Sequence, residues 1–298
     1  MGLSGLCRWL RLTLAATRTN LRAMFANVGG RRLYYELRGN PEGPTLVMLR
    51  GFARHTLHWG SVLSELESRF YLLLLDNRGL GRSDAVRYPF TVSDMADDVA
   101  GVMDAANISR AHVLGSSLGG MAALRFAVDH GARLDRLVLV GTTAGGRKAP
   151  PPSIGAFVKM LGARLGSAKE AMMTEVGLVL GKSYAAEHPE IIEEWCSILE
   201  RYPVPLRTLA FQALAVRMHD VSSELARIGA PALVLCCRTD HIIPPDNSRM
   251  LARGIAGAEL AWLDGDAHDV TTSFPRESAL RIEEFLLRPV GAQVRRAD

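Results

Sequence analysis

Val113-Leu114-Gly115-Ser116-Ser117-Leu118-Gly119-Gly120-Met121 sets Gly-x-Ser-x-Gly between an apolar, strand-like run and a helix-like run. That context describes a nucleophile elbow, in which a strand turns so sharply into a helix that one serine is left exposed at the top of a sheet. Gly115 and Gly119 suit such a turn, because a Cβ has no room where strand and helix backbones approach. Ser117 is then the candidate nucleophile and Ser116 a spacer. A chain with 28 glycines also produces the pattern by chance, so the rest of the sequence has to supply a base, an acid and an oxyanion hole.

Working outward, residues 24–28 and 32–37 flank Gly29-Gly30 as a β-hairpin. Residues 45–49 and 70–75 read as short apolar strands. Helical patterns cover 57–68 and 92–106, the second with Thr91 or Ser93 as N-cap. Strand 111–114 leads into the elbow, a helix runs on to His130 with Gly131 as its stop, and 134–140 is a further buried strand. Strands alternating with helices imply an α/β fold with a mostly parallel, doubly wound sheet. The short, all-apolar strands fit a sheet covered on both faces. From 153 to 227 only helical patterns occur, at 154–165, 168–180, 191–200 and 205–219, so a helical insert over the sheet is expected at about 145–228. Strands 232–237 and 259–263 and helices 246–254 and 275–287 complete a domain spanning 24–298.

A serine hydroxyl needs a base to take its proton, and in elbow-type chains the order is Ser…Asp…His. His268 lies in Asp264-Gly265-Asp266-Ala267-His268-Asp269, after the last strand. Asp240 lies in Arg238-Thr239-Asp240-His241-Ile242-Ile243-Pro244, after the strand before it. Loops after parallel strands gather at one sheet edge, where a carboxylate can fix the imidazole tautomer. His55, His58 and His241 are rival loop histidines, but each sits before the serine or beside the acid. Asp264, Asp266 and Asp269 are rival acids that also suit turns. The oxyanion hole needs two N–H donors. Leu118, at the start of the elbow helix, and Phe52, in the loop after strand 45–49, are the candidates.

The net charge is +4. Residues 1–23 hold Arg8, Arg11, Arg18 and Arg22 and no acid, so the remainder is neutral and gives no electrostatic case for nucleic-acid binding. On a helical wheel of 100° per residue those arginines share one face opposite Leu3, Leu6, Trp9, Leu10, Leu14 and Leu21. Three readings of this extension compete: a membrane-surface helix, the one segment with a pattern for membrane contact; an organelle presequence; and an upstream artefact or tail before a start at Met24. Cys7, Cys196, Cys236 and Cys237 show neither metal spacing nor a disulfide framework. A reducing, cytoplasmic setting with no metal and no cofactor is expected.

These residues together resemble the α/β-hydrolase superfamily, in its cap-bearing group of esterases, lactonases and cofactor-free haloperoxidase-like enzymes, over roughly residues 24–287. The marks are Gly51-Phe52, Asp76-x-Arg78-Gly79-x-Gly81-x-Ser83-Asp84, the elbow, Asp240 before Pro244, and Gly265-Asp266-Ala267-His268. The resemblance implies that the insert is a cap closing a pocket. Most relatives carry His-Gly where this chain has Arg50-Gly51. Arg50 either pairs with a nearby carboxylate such as Asp76 or reaches the pocket and favours acidic substrates, as a fixed guanidinium would. Serine at position 117 argues against epoxide opening and halide displacement, which use a carboxylate there.

The expected activity is therefore hydrolysis of small carboxylic esters, thioesters or lactones by Ser117, His268 and Asp240 through an acyl-enzyme. Peracid formation, carbon–carbon bond hydrolysis and non-catalytic ligand binding on the same fold are the alternatives. Phe157, Met160, Met172, Met173, Trp195 and Met218 of the insert face either an adaptable acyl pocket or an ordinary core. Core is the reading for most of them, and Trp195 is the one named with Arg50 as a substrate contact.

Overall fold

Gly29 and Gly30 both take positive φ, 55° and 76°, closing the hairpin between β1 (Arg22–Val28) and antiparallel β2 (Arg31–Gly39). The computed structural model describes residues 21–163 and 168–289. The amphipathic pattern up to residue 20 and the side chains of Phe157 and Met160 lie outside the described residues. The next strands are β3 (Thr45–Leu49), β4 (Tyr71–Leu75), β5 (Ala111–Ser116), β6 (Leu134–Val140), β7 (Ala232–Cys237) and β8 (Glu259–Leu263). They lie in the order β1-β2-β4-β3-β5-β6-β7-β8. β2 meets β4 antiparallel, and every pairing from β4 to β8 is parallel. The mostly parallel sheet read from the alternation of elements is thus present, with an antiparallel hairpin on one edge.

Both faces of the sheet are covered by apolar clusters. In β3, Val47 and Leu49 join one apolar cluster and Leu46 and Met48 the other, as side chains alternating across a strand must. Helices α2 (Val92–Ala105) and α3 (Leu118–Asp129) cover the first face through Met95, Val99, Met121 and Leu124. Helix α1 (Val62–Leu66) and α11 (Pro275–Leu286) cover the second through Leu66, Ile282 and Phe285. Between them in sequence come α4 (Ile154–Ala163), α5 (Ala168–Val179), α6 (Lys182–Glu187), α7 (Glu190–Arg201), α8 (Leu206–Met218), α9 (Asp246–Gly254) and α10 (Val270–Ser273).

Two local readings need correction. The expected helix 57–68 is broken by Gly60, at φ 56°, into a 3₁₀ turn (Thr56–Trp59) and the short α1. Gly131 does not stop α3 in a left-handed cap. His130 ends the helix at φ −120°, and Gly131–Arg133 forms a 3₁₀ turn. Thr91 is the N-cap of α2, and its hydroxyl accepts from the Asp94 N–H.

Helices α4 to α8 form the insert between β6 and β7. Its two ends are pinned together where it leaves the sheet: Gly145 bridges Asp220, and the Val221 N–H donates to the Ala144 carbonyl at 2.8 Å. The insert has its own apolar cluster, which includes Met172, Val176, Trp195 and Ile198. It is also tied to the sheet edge. The Val179 carbonyl, at the C-terminal end of α5, accepts from the N–H groups of His268 and Asp269, both at 2.9 Å. Terminal carbonyls have no partner inside their helix, so this docking satisfies one while fixing the loop after β8.

Candidate active site

Ser117 is the N-cap of α3 with φ 54° and ψ −120°, a conformation that costs a non-glycine residue of order 1–3 kcal/mol. The surroundings over-determine it. Its N–H donates to the Val140 carbonyl at 2.9 Å, and its carbonyl accepts from the Thr142 hydroxyl at 2.7 Å. A Cβ on Gly115 would strike the Gly119 carbonyl, and one on Gly119 would strike the Leu49 carbonyl. The turn therefore closes only with glycine at both places, for the steric reason its sequence suggests.

His268 and Asp240 come together in the loops after β8 and β7. The His268 Nδ1 lies 2.7 Å from the Asp240 Oδ2, and both residues are buried. The other carboxylate oxygen of Asp240 accepts the N–H groups of Ile242 and Ile243 at 2.7 and 2.9 Å. This orients the acid independently of the histidine. Burial alone would lower the His268 pKa; the adjacent Asp240 charge and its hydrogen bond outweigh burial and raise it above the ordinary imidazole value.

A cavity of about 550 Å³ is lined by Ser117, Leu118, Phe52 and His268, among others. Leu118 is the first residue of α3, so its N–H belongs to the turn that has no intrahelical acceptor. The loop carrying Phe52 is held from three directions. The Arg50 carbonyl accepts from the Asn77 amide at 2.9 Å, the Arg54 N–H donates to the Gly51 carbonyl at 3.2 Å, and the Ala53 N–H donates to the Gln212 Oε1 at 2.9 Å.

Arg50 lines this cavity, but its partner is not Asp76. Asp76 accepts from Arg82 and from the Thr56 N–H. The Arg50 guanidinium, 2 % exposed, instead pairs with the Asp269 Oδ2 at 2.6 Å and stacks 4.5 Å over Trp59. Burial opposes ionisation of Asp269, yet Arg50 and the Thr271 and Thr272 hydroxyls hold its pKa at about 2. Trp195 lies away from the cavity wall. It is buried in the insert's own cluster, with the Arg54 guanidinium 4.3 Å over its ring and His58 edge-on at 5.5 Å. Met172 is buried and Met173 and Met218 are exposed; none of the three lines the cavity. The rival histidines separate too. His55 and His58 are buried below the loop, where desolvation lowers both pKa values, His55 to about 4. His241 is exposed.

Sequence reasoning missed the insert's actual contribution to the wall. Glu175 and Val179, one helical turn apart, face the cavity, as do Ala213, Val216 and Arg217, followed by His219. Their spacing of three and four is the signal that places them on one helix face. Glu175 accepts from Arg54 at 2.5 Å, forming a buried ion pair across the insert and the Phe52 loop. His219 has its pKa lowered to about 4, mainly by burial. Among the described residues no His, Cys, Asp and Glu cluster has the geometry to hold a metal ion, and no helix is long and apolar enough to cross a membrane.

Comparison with known proteins identifies the fold and the family. A model of the alpha/beta hydrolase fold matches residues 44–190. A proposed carbamate hydrolase, RutD, of Pseudomonas syringae is 30 % identical over 245 residues, covering 80 % of this chain and 93 % of its own. The crystal structure of an enol-lactonase from Burkholderia xenovorans superposes with a TM-score of 0.79 at 25 % identity, covering 89 % of this chain and 100 % of the other. A thermophilic esterase from Thermogutta terrifontis gives 0.75 at 25 % identity, covering 89 % and 98 %.

Proposed function

The chain belongs to the α/β hydrolase fold family, and from that premise we propose that it is a serine hydrolase of carboxylic esters, thioesters or lactones. One observation carries the proposal: His268 is held on Asp240 at 2.7 Å and shares a cavity with Ser117 at the strained elbow. With Nδ1 donating to Asp240, the imidazole keeps Nε2 as the acceptor for the serine proton. Ser117 Oγ attacks the carbonyl as His268 takes that proton. The N–H groups of Phe52 and Leu118 receive the developing oxyanion. His268 then returns the proton to the leaving group, and later activates the water that releases the acyl group. The insert over the cavity acts as the cap, shielding the acyl-enzyme from bulk water. Enol-lactonase, esterase and carbamate hydrolase, the activities named for its relatives, each cleave a carbonyl–heteroatom bond, which supports acyl transfer.

A series of p-nitrophenyl esters tests the proposal. Turnover with an initial burst of p-nitrophenol, abolished in Ser117→Ala, is the expected result. Turnover surviving that substitution would overturn the assignment of the nucleophile. No turnover of any ester, thioester or lactone would favour the ligand-binding alternative.

A further inference from the structure

Arg50, Arg54 and Arg217 line the cavity. Arg50 is neutralised by Asp269 at 2.6 Å, and Arg54 by Glu175 at 2.5 Å. Arg217 has no acidic partner among the described residues. It stands on α8 one turn from Ala213 and beside Val216, which line the same wall, and it is exposed, so it is a cavity-lining cation that also reaches solvent. The loop after β6, which also lines the cavity, carries the same sign. Gly146 and Ala149 line the cavity, and the two residues between them, Arg147 and Lys148, are exposed with no acidic partner among the described residues. Residues 145–169 carry five basic residues and no acid. The wall elsewhere is largely apolar, formed by Phe52, Leu118, Met121 and Val179.

We infer that the substrate is an acyl compound carrying a free carboxylate remote from its scissile carbonyl, with Arg217 as the residue that receives that carboxylate. This rests on the serine-hydrolase reading for its chemistry. An apolar chain lies along the wall from Ser117 toward Arg217, and the fork of the guanidinium takes the acid bidentately. Arg147 and Lys148 add to the positive field and draw the anion in. The acidic preference that the sequence raised at Arg50 therefore belongs to Arg217, because Arg50 is already neutralised inside the fold.

The test compares mono-p-nitrophenyl succinate, glutarate and adipate with neutral p-nitrophenyl esters of matched length. At least one half-ester is expected to have the higher kcat/KM. Arg217→Ala should lower the half-ester-to-neutral ratio at least tenfold, through KM, Arg217→Lys should restore part of it, and Arg217→Glu should invert it. Arg207→Ala, on the same helix, should leave the ratio alone. Added salt should erode the preference, as screening of an exposed pair requires. Ser117-dependent turnover of neutral esters with a ratio indifferent to Arg217 overturns the inference while sparing the hydrolase reading. A calorimetric titration of Ser117→Ala with succinate, glutarate and adipate tests it without any turnover. At least one diacid should bind, at least tenfold more weakly when Arg217→Ala is added. Absent binding, or equal affinity in both proteins, overturns it.

Discussion

Replacing Asp269 by Asn is expected to weaken the fold and to move the pH profile in a defined direction. Asp269 is 2 % exposed and accepts from Arg50 at 2.6 Å, the Thr271 hydroxyl at 2.6 Å and the Thr272 hydroxyl at 2.8 Å. Its pKa, held at about 2 against an ordinary 3.8, corresponds to about 2–3 kcal/mol of stabilisation from ionisation. Truncating one partner of a buried pair costs more, about 3–5 kcal/mol, because the other charge is left uncompensated. Here that charge is Arg50. Urea denaturation of wild type and Asp269→Asn at pH 7 should therefore differ by about 3–5 kcal/mol. A depressed carboxylate pKa contributes stability above the unfolded value and loses it as pH falls through the folded value. The gap should thus begin to close below about pH 4 and shrink further toward pH 2. His268 supplies the second readout. The Asp269 charge raises the His268 pKa and the Arg50 charge lowers it, so removing Asp269 should shift the acid limb of kcat/KM to lower pH. A stability loss under about 1 kcal/mol, the range of exposed pairs, or an acid limb that moves upward, would refute the reasoning.

Three further outcomes follow from the site and its supports. Asp240→Asn can keep the Ile242 and Ile243 N–H bonds through its amide oxygen while presenting NH₂ to the His268 Nδ1, which forces the wrong tautomer. A fall in kcat of about 10⁴ with little change in melting temperature is expected; a loss of less than tenfold would count against Asp240 as the orienting acid. Gly119→Ala drives a Cβ into the Leu49 carbonyl, a backbone atom that cannot swing aside, so a loss above about 4 kcal/mol should appear as failed folding or a collapsed melting transition. Trp195→Ala should cost about 3–5 kcal/mol through its cavity, measured by chemical denaturation, because the ring is 1 % exposed in the insert's core; an unchanged midpoint would contradict that placement.

What could be read from the sequence follows the range of the forces involved. The elbow was legible because backbone sterics at Gly115 and Gly119 are local. Asp240 and His268 were legible because a parallel sheet brings successive post-strand loops to one edge, whatever the intervening chain does. Arg50 was only half legible. A buried guanidinium needs a carboxylate, but its partner is 219 residues away in sequence, and nothing local separates Asp269 from Asp76, Asp264 or Asp266. The break at Gly60 depended on a positive φ that its neighbours do not announce. The six-residue helix α6 (Lys182–Glu187) is too short to show a helical period. The insert's pocket-facing residues escaped for a different reason. Helical spacing groups Ala213, Val216 and Arg217 on one face but does not say whether that face meets the cavity, the sheet or solvent. Trp195 packs inward, while the less conspicuous Arg217 lines the wall.

The central claim is that Ser117 is the activated nucleophile, and covalent labelling reaches it most directly. The full chain is treated with a fluorophosphonate probe, digested and mapped by mass spectrometry. A single adduct on the peptide holding Ser117 is expected, absent in Ser117→Ala and strongly slowed in Asp240→Asn. An unlabelled protein, or an adduct on a different residue that persists in Ser117→Ala, would contradict the account.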